Sequence, residues 1–135
     1  MGIVNRNRHD QSASAKITTV RYLAAGLAFT SQAIHLWILP EAFVVTLLPG
    51  LFFLFVGMSQ GLLGVSLLFR PGKWTLGIGI LLNALIVTVW ITTRIVSLPA
   101  ITGSAQLNID LAGIGAAVAE IILVLLLLKL LAAKR

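Results

Sequence analysis

Cysteine is absent from this chain of 135 residues, which excludes disulfides, thiolate metal sites and dithiol redox chemistry. Charge is scarce as well: 10% of the residues are Asp, Glu, Lys or Arg, far below the roughly 25% of a soluble domain. Histidine occurs twice, His35 in an apolar run and His9 in the polar opening stretch, so a haem held by two histidines within a membrane is ruled out. No Walker A loop, dinucleotide fingerprint, HExxH or GxSxG occurs, and no nucleotide cofactor is expected. The net charge of +6 could suggest nucleic acid, but the basic residues sit at the ends of apolar runs, with no basic face carrying interleaved aromatics.

Apolar residues dominate instead, at 59%. A bilayer core needs about 20 apolar residues per helix, and four such runs occur, about 18–39, 50–69, 74–96 and 110–131. The fold class expected is all-α: a four-helix transmembrane bundle over residues 17–135, preceded by a flexible polar tail at 1–16. Arg6 stands where a myristoylation signal needs Ser or Thr, and the first apolar run exceeds the roughly 7–15 residues of a signal-peptide core, so that run is expected to be retained. Between the first two runs lies PEAFVVTLLPG, where Pro40 and Glu41 suit the first turn of a helix and Phe43, Val44, Leu47 and Leu48 share a side. A short interfacial helix is expected there.

Arg6, Arg8, Lys16, Arg21, Arg70, Lys73, Lys129, Lys134 and Arg135 all fall on one side of such a bundle, leaving Arg94 alone toward the other. The positive-inside rule then places both termini in the cytoplasm of a multi-pass cell-membrane protein. Trp37 and Trp74 sit at interfacial depths, and SLPAITGSAQLN forms the longer outer loop.

Polar side chains in lipid turn toward neighbouring helices, so their helical phase marks the interior. Ala25, Ala28, Gln32 and His35 form one stripe; Phe53, Gly57, Gln60, Gly61 and Gly64 a second; Asn83, Val87, Trp90 and Arg94 a third; Asp110, Gly113, Ala117, Glu120 and Val124 a fourth. Reckoned by helical rise, Gln60, Asn83 and Glu120 make a mid-membrane layer, while His35, Glu41, Arg94 and Asp110 make an outer polar site. Gln60 and Asn83 read most simply as interhelical hydrogen-bonding groups. Asp110 suits a cap on the fourth helix, and Arg94 can pair with it or snorkel to the headgroups. Glu120 lacks a basic partner at its expected depth, and is expected to be protonated or hydrogen-bonded to Gln60 or Asn83. His35, Glu41 and Asp110 form the nearest approach to a ligand set for a divalent metal, with mixed N and O donors.

The residues His35-Leu36, Pro40-Glu41, Gly50-Leu51-Phe52-Phe53 with Gln60, Arg94, Leu98-Pro99, Asp110 and Glu120 together resemble the pattern of an uncharacterised group of small bacterial four-helix membrane proteins. The pattern covers about residues 35–120; Ala42 stands where the group has a second histidine, and the glycine before Leu98 is missing. The resemblance implies the four-span layout and no particular activity.

Three functional readings follow. The first is a non-enzymatic accessory subunit of a larger membrane complex, or a binding module with an outer-side polar site; the segments outside the membrane are too short for a catalytic domain. The second is a proton-coupled small-molecule transporter subunit using Glu120, and the third a metal-binding membrane protein centred on His35. The partners expected are the membrane, further copies of the chain or other membrane subunits, and not nucleic acid.

Overall fold

The structure, a computed structural model, describes residues 2–96 and 111–134, with side chains described from Gln11 onward except Val45. Four helices follow one another: α1 (Gly2–Val45), α2 (Leu47–Leu68), α3 (Lys73–Ile95) and α4 (Leu111–Ala132). No strand occurs among the described residues. Each helix contains a stretch long and apolar enough to cross a membrane. The 22 residues of α2 reach roughly 33 Å at about 1.5 Å each, against a hydrocarbon core of about 30 Å.

The outward faces fit lipid. Phe55, Met58 and Leu62 on α2, Leu81 and Leu85 on α3, and Ile121 and Leu125 on α4 are all exposed, where a bundle in water would carry polar residues. The few hydroxyls out there satisfy themselves: Thr30 donates to the carbonyl of Gly26 at 2.9 Å, and Thr88 to that of Ala84 at 2.8 Å.

The first helix is longer than the apolar run within it. It is already helical from Gly2, because nothing between there and the span, no proline and no further glycine, interrupts it. It also runs on through Pro40 to Val45, and the short interfacial helix expected around Pro40 and Glu41 is not formed. Proline inside a helix removes one backbone bond, but its φ is helical, and within a membrane continuing the helix keeps the remaining backbone groups paired. The break comes instead at Thr46, whose extended backbone (φ −160°, ψ 166°) is the single residue between α1 and α2. Pro49 then occupies the first turn of α2, where its missing N–H would have had no partner.

Around the bundle, α1 packs against both α2 and α4, α3 packs against α4, and α2 and α3 approach each other least among neighbours. The α1–α2 hairpin is held in register by glycines. A Cβ at Gly57 would meet Leu36, one at Gly61 would meet Gln32, and one at Gly64 would meet Phe29, so each step along α2 is matched by an equal step back along α1. At the basic end, Val20, Ala24, Ala28, Leu63, Leu67, Leu76, Leu123 and Leu127 fill the interior with apolar side chains. Nearer the middle the filling changes to polar.

Candidate functional site: a buried polar layer

Glu120 lies on the inner face of α4 in the company of buried Ala116, Ala117 and Leu123, so its carboxyl projects into the bundle with 1% of the residue exposed. His35, 3% exposed, meets it from α1: Nε2 lies 2.9 Å from Oε1. Ser31, one turn earlier on the same face of α1, donates its hydroxyl to the same oxygen at 3.1 Å. Across the bundle, Gln60 of α2 donates from Nε2 to Oδ1 of Asn83 on α3 at 2.7 Å, and Asn83 donates from Nδ2 to the carbonyl of Gly79 at 2.8 Å. One polar contact thus joins α1 to α4 and another joins α2 to α3.

The arrangement of the expected site residues differs from the two-layer reading. His35 is not near the end of its helix, because α1 continues ten residues beyond it, which brings the imidazole level with Glu120. The basic partner that Glu120 was expected to lack is therefore His35, and Gln60 and Asn83 bond each other rather than the carboxyl. Glu41 is exposed on the last turns of α1. Six residues of continuous helix turn it about 240° from His35, so it does not fold back over the imidazole. Asp110 lies outside the described residues, as does the outer loop. Among the described residues no three His, Cys, Asp or Glu side chains come together to hold a metal ion. Arg94 donates to the hydroxyl of Thr93 at 3.0 Å, and its guanidinium stands 5.0 Å from the centre of the Trp90 ring.

Ser31 belongs to the centre and was missed in the sequence. Its only signal was position: four residues before His35 and three after Ala28, on the stripe that already held both.

The chemistry of the centre follows from proton count. His35 and Glu120 together are neutral with one proton between them, held either by an imidazolium facing a carboxylate or by a neutral imidazole facing a carboxylic acid. Removing that proton or adding a second leaves a net charge, and such a charge is costly inside a membrane. Nδ1 of His35 is buried without a hydrogen-bond partner, a second valence for a proton or a ligand atom, and the imidazole and the Phe53 ring make an edge-type contact with centroids 5.7 Å apart. Oε1 of Gln60 is likewise buried and unpartnered. No protein-family model matches the chain, and no curated protein or solved structure matches it either.

Proposed function

We propose that this chain is a small, non-enzymatic integral membrane protein that couples binding and release of a proton at the His35 and Glu120 pair to movement of a small molecule. The observation that carries this reading is the 2.9 Å contact between two titratable side chains, both almost wholly buried, in the interior of an apolar bundle. Intramembrane pairs of this kind mark proton relays and ion pathways, since apolar packing would hold the helices together at lower desolvation cost. The residues that carry the resemblance to the bacterial four-helix group include His35, Gln60 and Glu120, in keeping with a centre shared by that group.

The basic half of the interior is packed with Ala, Val and Leu. A path for a substrate is therefore placed between copies of the chain, or between it and other membrane subunits, which makes this a subunit rather than a complete transporter. The end that carries Arg21, Arg70 and Lys134 is assigned to the cytoplasm of a cell membrane, following the bias of basic residues toward that side.

The test is proton flux in liposomes. Purified protein in vesicles loaded with a pH-sensitive dye should dissipate an imposed pH gradient when substrate candidates are supplied. Glu120→Gln, which keeps an acceptor oxygen but cannot exchange a proton, should abolish that flux while the thermal midpoint in detergent stays near the native value. Flux that survives the substitution would end the reading.

A further inference from the structure

At the end of the bundle where α1 enters, the α2–α3 turn passes and α4 finishes, a hollow of about 370 Å³ opens. Ser14, Thr18, Arg21, Arg70, Leu130 and Lys134 stand on its wall. Its volume falls within the roughly 300–1,000 Å³ of small-molecule clefts. Three segments distant in sequence each contribute a cation. Among the described residues the only ion pair is between His35 and Glu120, so none of the three cations is matched by a described carboxylate. Of the four acidic residues in the chain, only Asp10, one turn before Ser14 along α1, belongs to this end, and its side chain lies outside the described residues.

Two further features set the hollow apart from a scatter of surface charge. Nε of Arg21 is buried without a hydrogen-bond partner, while its guanidinium carbon stands 5.1 Å from the centre of the Tyr22 ring, a face that holds the planar fork in place. Arg70 has a φ of 54°, the sole positive φ at a non-glycine residue described, and it precedes Pro71, which restricts its backbone further. Glycine takes this conformation without steric cost. An arginine held there retains an unfavourable backbone where it lines the hollow, the kind of local strain that accompanies function.

We propose that this hollow binds a phosphate oxyanion. Arg21 and Arg70 present paired N–H donors to its oxygens, Lys134 adds a third positive charge, and the hydroxyls of Ser14 and Thr18 donate from the α1 wall. The same chemistry fits the headgroup of an anionic phospholipid, whose glycerol would lie along Leu130, and a free phosphate compound arriving from the aqueous side. This site is independent of the buried proton centre.

Native mass spectrometry of the detergent-purified full chain, incubated with phosphatidylglycerol, phosphatidylcholine or inorganic phosphate, tests it. Wild type should retain phosphatidylglycerol or inorganic phosphate in preference to phosphatidylcholine. The Arg21→Gln, Arg70→Gln double variant should bind about tenfold more weakly, as expected on loss of charge-assisted contacts. A Lys73→Gln, Lys129→Gln double variant removes equal charge at the same end without touching the hollow, and should bind as wild type. Phosphatidylglycerol that resists displacement by excess inorganic phosphate identifies a lipid site, and displacement identifies a free-phosphate site. Arg70→Gly should lose affinity while its thermal midpoint holds or rises, which separates ligand contact from folding. No binding, equal retention of phosphatidylcholine, equal losses in the two double variants, or full affinity in Arg70→Gly would each overturn the proposal.

Discussion

Oε1 of Glu120 serves Ser31 and His35 at once, so the effect of a substitution there depends on whether an acceptor oxygen survives. Glutamine keeps one. Alanine removes it and leaves a buried hydroxyl and a buried imidazole without their partner. Glu120→Ala should therefore cost about 1–3 kcal/mol for the stranded groups, with the cavity adding to that. Glu120→Gln should cost less than about 1 kcal/mol. Replacing His35 alone with leucine strands the carboxyl in the same way, but replacing both residues with leucine leaves only the Ser31 hydroxyl, which can turn to a carbonyl of its own helix. A double-mutant cycle by thermal unfolding in detergent should give a coupling energy of about 0.5–2 kcal/mol between positions 35 and 120. Strictly additive losses would show that the two side chains do not stabilise each other.

Between α1 and α2 the contact is made by absence of side chain. A Cβ at Gly64 would sit 2.9 Å from the Phe29 ring, a rigid neighbour inside the hairpin, whereas nothing lies within 4 Å of the Cβ position at Gly77 on α3. Gly64→Ala should therefore destabilise by about 1–3 kcal/mol through overpacking. Gly77→Ala should be neutral or stabilising by up to about 1 kcal/mol, because alanine favours helix where space permits. A lowered thermal midpoint for Gly64→Ala and an unchanged or raised one for Gly77→Ala are the expected result, and a loss at Gly77 equal to that at Gly64 would contradict this packing. The glycine stripe on α2 was legible in the sequence, as were the buried phases of Ala25, Ala28, Gln60, Asn83, Ala117 and Glu120, because burial against a helix neighbour imposes a period near 3.6 that spacing alone reveals. The far end of α1 left no comparable mark. Pro40 and Glu41 carry the same chemistry at a helix start as inside a helix that tolerates them, and assigning the start placed His35 near an outer end instead of beside Glu120. A shift of a few residues in one boundary thus separated two side chains that meet at hydrogen-bond distance.

At the scale of the whole molecule, the sequence asymmetry of charge becomes an asymmetry of ends. Helices α1 to α4 pass up and down in turn, so the entry of α1, the α2–α3 turn and the exit of α4 share one end, and Arg21, Arg70 and Lys134 from those three segments line one hollow there. Basic residues near span ends are retained on the cytoplasmic side during insertion, and the three segments carry nine of the ten in the chain. No segment at this end opposes the others, so a single orientation is expected rather than a mixture. Cysteine introduced at Ser14, on α1 beside the hollow, should be labelled by a membrane-impermeant maleimide only after the inner face is opened. Cysteine introduced at Ser104, between α3 and α4, should react in intact cells. The chain contains no other cysteine, so each signal reports one position. Labelling of both from the same side would break the alternation of four spans, and exchange of the two sides would leave the bundle intact but place the basic hollow on the outer surface. Arg21→Gln with Arg70→Gln and Lys134→Gln removes three of the nine charges; with six still on that side against Arg94, the orientation should persist, and labelling of the two positions in this triple variant should match the native pattern.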